Sequence, residues 1–537
     1  MEAGVNNVSV LNLLPNETIV AVLLLLPPRD ILRCRLVDRR TKLLVDSTPA
    51  LEYKLKLFLT DLTATEPSGE CDISRALASL ENRESRWTSY RPLAEQEVKH
   101  ADERVDLVDI SGEFMARSAP DALYFDRLNQ GHYENYPEHW CNITDTRGVA
   151  RIAVCAEQDL VVLTRLERDV TDLAIIGLTV TLTTLRTGAQ HPAASSPTLA
   201  VELPAFELAH HKISINGDLL AIMVSGVGFL RQTELFVWDW RTSVLRFNAY
   251  HTSVGVSSFE FLDDRFIIVP VVGAWDSLRG RDAALCIFDC RDARPGRHTF
   301  FDFPRAATLR LPSVADGAFY DQIHVVADRI VRSTGHNFSF VPNPAMRIVA
   351  IQLKVLHSAT AHANNLFQNS TFCLFVHAGA LVDLCTQGTS GPVMRWDEWA
   401  AQTRLIRTLG DESFWLGRNI SHNRTIVSEI RQGSGMFPPL DYVIYDFPSA
   451  PAFRHAVQTM DKQSQGPWRY VTDPTVISDR SIFRSNVVTS LPYRKVPSGY
   501  WRMLGPSDGG GETHVYLSGN CLLAKKRNSP WRVQAFS

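Results

Sequence analysis

An apolar run that closes in an aromatic residue, an aspartate and a turn returns along this chain: Val237-Trp238-Asp239-Trp240-Arg241-Thr242, Ile287-Phe288-Asp289-Cys290-Arg291 and Ile444-Tyr445-Asp446-Phe447. Asp239 and Asp289 lie 50 residues apart, and Asp289 and Asp446 lie 157 apart, close to three steps of about 52. Thr184-Leu185-Arg186-Thr187-Gly188 falls one further step, 55 residues, before Asp239-Trp240-Arg241-Thr242-Ser243. The preceding strand also corresponds, with Asn216-Gly217-Asp218-Leu219-Leu220-Ala221-Ile222 answering Leu262-Asp263-Asp264-Arg265-Phe266-Ile267-Ile268. Each unit therefore begins with a turn and strand and closes with the aromatic-Asp strand. A strand-rich repeat of this length predicts a β-propeller with one four-stranded blade per repeat. A pair of irregular β-sandwiches is equally strand-rich but leaves the spacing unexplained.

From Val98 to Ser537, 440 residues, short runs of Val, Ile, Leu, Phe and Trp alternate with Gly, Asp, Asn, Ser and Pro, and helical periodicity is scarce. At about 52 residues per unit this leaves room for seven or eight blades. Trp238-Asp239 is similar to the dipeptide of WD40 blades, yet the other units lack the tryptophan and no regular Gly-His accompanies them, so the region is WD40-like rather than WD40.

The other constraint lies near the amino terminus. Ile19-Val20-Ala21-Val22-Leu23-Leu24-Leu25-Leu26 is apolar around the whole circumference of a helix, so both faces must leave water. As a helix it is about 12 Å long, against the roughly 30 Å of a bilayer core, and does not span one. Leu14-Pro15 leads into this helix and Pro27-Pro28 ends it. Asp30 is placed to cap a second helix from Ile31, and Thr48-Pro49 reads as cap and first position of another, from Ala50 to about Leu62. So small a unit buries too little surface to stand alone and needs another chain or domain.

These residues resemble the F-box, the short helical motif that docks on Skp1 and joins an SCF ubiquitin ligase. The likeness rests on Leu14-Pro15, Glu17, the apolar helix ending at Leu26, Pro28, Asp30-Ile31-Leu32-Arg33, Arg35, Val37 and Arg39-Arg40. It lapses at Val37-Asp38-Arg39-Arg40-Thr41, where the family often has Cys and an aromatic, which puts the second half of the dock in doubt. The resemblance implies Leu14, Pro15, Ile19, Leu26, Pro28, Leu32 and Val37 at or near the Skp1 surface, with a cullin reached through Skp1. A generic helical cap on the second domain is the plain alternative.

The expected fold is multidomain α+β: a flexible N-terminus at 1–10, an F-box helical domain at 11–62, a linker and amphipathic helix at 63–97, and an all-β propeller at 98–537. In the connector Ile73, Leu77, Leu80 and Trp87 recur at helical spacing, with Glu81, Arg83 and Glu84 expected outward. The layout is similar to the expanded F-box families of fungi.

Lys plus Arg number 55 against 58 Asp plus Glu, so there is no overall pull toward nucleic acid or anionic lipid. The basic stretch Arg29–Lys42 lacks interleaved aromatics, which speaks against nucleic acid there as well. Nine scattered cysteines suggest a reducing compartment, cytoplasmic or nuclear, and Cys286 and Cys290 read as packed thiols. Seven N-x-S/T triplets occur, but MEAGVNNVSV has no basic leader. No Walker A loop, G-x-S-x-G, H-E-x-x-H or calcium-loop series is present, so no cofactor, metal or catalytic residue is expected. Seven arginines between Arg279 and Arg310 suggest a site for an acidic client segment, with Arg279 and Arg281 as its first candidates; solvated loop charges are the plainer reading. The function expected is that of a non-catalytic substrate adaptor of an SCF-type ligase, holding a client protein on the propeller. The alternatives are a propeller hydrolase, whose ligands would come from distant blades, and a WD40-like scaffold acting without a ligase.

Overall fold

The computed structural model describes residues 14–65, 72–98, 107–111, 114–118, 122–128, 139–143, 146–169, 174–226, 232–251, 256, 258–272, 283–291, 296–330, 340–358, 367–387, 391–408, 419–430, 440–460, 468–496, 513–518, 521–526 and 531–536. Seven antiparallel sheets follow one another along the chain, at 107–143, 149–206, 208–251, 260–310, 319–408, 420–496 and 513–535, and form blades 1 to 7. Blades 3, 4 and 6 carry a fifth short strand.

The first strands of the blades stand round a central channel. Leu107–Ser111 packs on Val149–Cys155, and that on Leu208–Asn216. Glu260–Phe261, Phe319–Ala327, Ile420–Ser421 and Thr513–Ser518 follow in order. Ile110 and Met115 of blade 1 share a hydrophobic cluster with Tyr516, Cys521 and Leu523 of blade 7, so the ring closes. Blade 7 is completed from the other end of the sequence. Ala94–Val98 pairs antiparallel with Trp531–Ala535, Ala94 opposite Ala535 and Val98 opposite Trp531. Residues 94–97, expected to be linker, are thus the outer strand of a blade.

Middle strands such as Thr233–Asp239 and Phe266–Val272 are buried at every position, because each is covered on both faces by the next blade. This is why they read as continuous apolar runs instead of alternating. The recurring aspartates end third strands. Asp239 accepts from the Thr242 amide (3.1 Å) and Arg246 (2.7 Å), and Asp289 from the Arg291 amide (2.9 Å) and Arg265 (2.6 Å), so each ties its turn to a neighbouring strand. The matched turns also meet, the Asn216 side chain donating to the Asp263 carbonyl at 2.6 Å.

The step from Asp289 to Asp446 covers two blades, not three. The third strand of blade 5 ends at His377, 88 residues after Asp289 and 69 before Asp446. Blade 5 carries the inserted helices Ala378–Thr386 and Trp396–Trp399, and blade 6 carries Ala450–Met460. The two helices of blade 5 lengthen the step from His377 to Asp446, and the extra strand Phe340–Pro342 and the long strands of blade 5 lengthen the step before it, so the count is seven and not eight.

The N-terminal unit has four helices, α1 (Asn16–Leu25), α2 (Pro28–Cys34), α3 (Arg39–Ser47) and α4 (Pro49–Leu59), then α5 (Ile73–Ser89). Asp30 does not cap α2, which starts two residues earlier at Pro28; it pairs with Arg33 in the first turn at 2.8 Å. The ammonium of Lys54 donates to the carbonyls of Leu24 (2.6 Å) and Leu26 (2.8 Å), satisfying the C-terminal end of α1.

Candidate functional site

Four-helix packing fixes which side of the apolar run faces inward. Ile19 and Leu23, four residues apart on α1, join Ile31, Val45, Leu51 and Leu55 in the core of the unit. The opposite arc of α1 carries Thr18, Ala21, Val22 and Leu25, all exposed. Leu25 is 86% exposed, as is Leu36 in the turn after α2, and Val37 is 69% exposed. Six of the fourteen exposed large aliphatic residues among those described lie between 22 and 43: Val22, Leu24, Leu25, Leu36, Val37 and Leu43. Single exposed aliphatic residues need no explanation, but this concentration marks a surface built to be covered.

Of the residues the F-box resemblance places at the partner surface, Pro15 and Val37 are exposed, while Leu14, Leu26, Pro28 and Leu32 are half-buried. Ile19 is buried in the unit's own core and holds the helix in place. Leu25 and Leu36 were not among the expected residues. Their signal was present, Leu25 falling three residues after Val22 on the arc away from Ile19 and Leu23, but a run apolar on all sides hides which arc is outward. The departures at Asp38 and Thr41 have a local role. Asp38 caps α3, accepting from the Thr41 amide (2.8 Å) and hydroxyl (2.7 Å), and these bonds hold its carboxyl below the usual range.

The rest of the unit is fixed to blades 5 to 7. Asp61, at φ 59°, accepts from the Ser449 amide through its carboxylate (2.7 Å) and from the Asn343 amide (2.9 Å) and the His422 ring (3.1 Å) through its carbonyl. Leu62–Ala64 pairs with Phe340–Pro342. At the far end of α5, Trp87 is fully buried and stacks on Phe536 with ring centroids 4.1 Å apart, and the Arg424 guanidinium lies 4.3 Å from its ring centre. Trp468 of blade 6 donates its indole N–H to the Trp87 carbonyl at 3.1 Å. Behind this seat, Asp446 is fully buried between Arg424 and Arg494, the latter at 2.6 Å, and these cations hold its carboxyl below the usual range despite burial. Arg83, expected outward, is buried beside Glu84. The helices thus leave Val22, Leu25, Leu36, Val37 and Leu43 outward, among the exposed basic residues Arg29, Arg33, Arg35, Arg39 and Lys42, on a unit bonded to blades 5 to 7.

Arg279 and Arg281 lie outside the described residues, as does Arg294. Of the remaining arginines in that stretch, Arg297 pairs with Glu234 at 2.5 Å and Arg291 with Asp264 at 3.7 Å. Cys286 and Cys290 are buried free thiols, as expected. Among the described residues no group of three or more His, Cys, Asp or Glu is placed to hold a metal ion, and no helix is long and apolar enough to cross a membrane.

Four histidines, His211 and His422 buried and His210 and His324 half-buried, shape the acid response of the ring. Burial, joined by nearby cations, pushes His210 down to about 4 and His211, His324 and His422 to about 3. Each takes up a proton in the unfolded chain before the folded one. Stability is therefore full above about pH 6.5 and falls as the pH drops toward 4, by on the order of 1–2 kcal/mol per histidine near pH 5. Asp61, pushed up to about 6 by burial, acts oppositely and loses its contribution as the pH rises through 6. Asp328, also raised by burial, acts in the same sense as Asp61, while burial lowers His251, His377 and His455 as it does the other four, so the lowered imidazoles outnumber the raised carboxyls. Urea unfolding at pH 7.5, 6 and 5 should show this decline. His422→Asn, which tolerates the φ of 53° at that position, should flatten it; an unchanged slope would remove His422 from the account.

No protein-family model matches the chain, and no curated protein matches it. Solved structures similar to it include the WD40 domain of SCAP from fission yeast, at 8% identity and a TM-score of 0.34 over 82% of this chain and 98% of that one. The N-terminal domain of Nup159 is 11% identical, with a TM-score of 0.32, over 82% and 94%. Extracellular domains 1-2 of Drosophila Semaphorin 1b are 10% identical, with a TM-score of 0.33, over 83% and 86%. The blade count rests on this chain's own strand pairing. By that pairing the protein is a seven-bladed β-propeller carrying an N-terminal helical unit, a fold consistent with a protein-interaction scaffold.

Proposed function

We propose that this protein is a non-catalytic substrate-recognition adaptor of an SCF-type ubiquitin ligase. The helical unit binds a Skp1-like adaptor, and through it a cullin, while the propeller holds a client protein near the charged ubiquitin-conjugating enzyme. Tethering raises the effective concentration of client lysines at the transfer site, so no residue of this chain needs to perform bond chemistry. The compartment in this reading is the cytoplasm or nucleus.

The observation that carries the proposal is the outward aliphatic side of α1 to α3, at Val22, Leu25, Leu36, Val37 and Leu43, on a unit whose other side is already bonded to blades 5 to 7. Burying a leucine or valine side chain from full exposure contributes about 1.5–3 kcal/mol, so a few of these suffice for a stable complex. The test is co-purification of the full chain with Skp1. A stoichiometric complex supports the proposal. A monodisperse propeller that never retains Skp1 leaves a scaffold acting without a ligase.

A further inference from the structure

We propose that the central channel of the propeller is a binding site for a small oxyanion, a phosphate or a carboxylate, held by Arg151, His210 and His211. A cavity of about 170 Å³ sits in the channel, walled by first strands from all seven blades.

The charges in its wall do not cancel locally. Glu260 is taken by Lys212 at 2.5 Å. Asp109 is taken by Arg329 at 2.7 Å and also accepts the Val154 amide at 2.8 Å. Asp328 accepts the backbone amides of His422 (2.9 Å) and Arg329 (2.8 Å), and its charge is answered by Arg347 behind the wall. Arg151, on the first strand of blade 2, has no carboxylate or other acceptor among the described residues and is only half-buried. A guanidinium left over in a walled cavity is a fixed positive charge with nothing but solvent to answer it.

Two histidines beside it point the same way. His211 is 4% exposed, yet neither ring nitrogen has a hydrogen-bond partner, and Nδ1 of His210 is buried without one. Buried polar atoms are ordinarily bonded, so these nitrogens are aimed at something the channel is made to receive. After burial, the charge of Arg151 is the next cause holding the His211 imidazole neutral, which shows that this corner is electrically positive. An oxyanion there accepts from the planar fork of Arg151 and from imidazole N–H groups, and its charge offsets the one that holds the rings neutral. Among the described residues the histidines belong to no group of three or more His, Cys, Asp or Glu placed to hold a metal ion. The assignment stands independently of what the N-terminal helices bind.

The experiment uses the full chain and two probes, orthophosphate and malonate, titrated by calorimetry at pH 7 and low salt. Orthophosphate is followed in parallel by phosphorus NMR line broadening. Saturable one-to-one binding is expected, weakened at least tenfold by Arg151→Gln and unchanged by Arg395→Gln, an exposed arginine that lines no part of this cavity. Response to orthophosphate alone identifies a tetrahedral oxyanion, and response to malonate alone a carboxylate. If Arg151→Gln does not fold, His211→Gln takes its place with the same expectation. Absence of saturable binding of both probes by the unmodified protein overturns the assignment, as does binding that neither variant weakens.

Discussion

Leu25→Asp is expected to abolish capture of Skp1 while leaving the fold intact. The side chain is 86% exposed in the free protein, so a carboxylate there remains solvated and should change stability by no more than about 0.5 kcal/mol. In a complex that covers this side of α1, the same carboxylate has to be stripped of water without a partner. That costs several kcal/mol, enough to weaken binding by more than about a hundredfold. Leu36→Asp, equally exposed, should behave alike. Leu23→Asp is the contrast, because Leu23 is 3% exposed in the core of the unit and a charge there unfolds the helices whether or not a partner is present. Surface plasmon resonance with immobilised Skp1, beside urea unfolding of each variant, separates the two behaviours. If Leu25→Asp and Leu36→Asp both bind as the unmodified chain does, the outward aliphatic side is not the docking surface.

Trp87→Ala should cause a large loss of stability. The indole fills the junction of blades 6 and 7, against Phe536 on one side and the Arg424 guanidinium on the other. Truncation leaves a cavity and is expected to cost about 3–5 kcal/mol. The cost should appear unevenly. The indole is what seats α5, so removing it uncouples the helices from the ring, and a single calorimetric transition should separate into two. Asp446→Ala attacks the same seat from behind by leaving Arg424 and Arg494 buried without their carboxylate, at a similar expected cost of about 3–5 kcal/mol. A Trp87→Ala protein that unfolds in one transition at an unchanged midpoint would show that α5 is held by its other contacts alone.

The propeller was legible wherever strands are buried on both sides and the turns carry aspartate. Thr184 and Asp239 fall on equivalent positions of adjacent blades, whereas the match of Asn216-Gly217 to Leu262-Asp263 is one residue out of step: Leu219 lies opposite Asp239 and Phe266 opposite Asp289, so Asn216 answers Asp263. The blade count was not legible, because the long strands of blade 5 and the extra strand Phe340–Pro342 between its first two lengthen one step to 88 residues, and the helices Ala378–Thr386 and Trp396–Trp399 lengthen the next to 69. Asp126 in the third strand of blade 1 is buried against Arg117 and His139, but it lies opposite Met115, one position before the strand's last residue Arg127, and so is out of step with the series. The strand Ala94–Val98 escaped notice for a different reason. Its sequence, Ala-Glu-Gln-Glu-Val, is that of an edge with mostly exposed side chains, and what identifies it is backbone pairing with a segment at the opposite end of the sequence. At the helical unit, the need for a partner could be read from the apolar run, whereas the outward arc depended on contacts made by α2, α3 and α4. The channel cluster was illegible because Arg151, His210 and His211 come together only when the ring brings blades 2 and 3 side by side.

Closure by Ala94–Val98 ties the chain's geometry to the order of its synthesis. A ribosome releases the helices and this strand first, then makes more than four hundred residues before the pairing segment Trp531–Ala535 exists. The seat for Trp87 is similarly delayed, since Leu517 and Phe536 follow it by more than four hundred residues. A polypeptide stopped before Leu517 therefore displays the greasy helices with the blade 7 half of that seat missing, and only synthesis through Phe536 completes it.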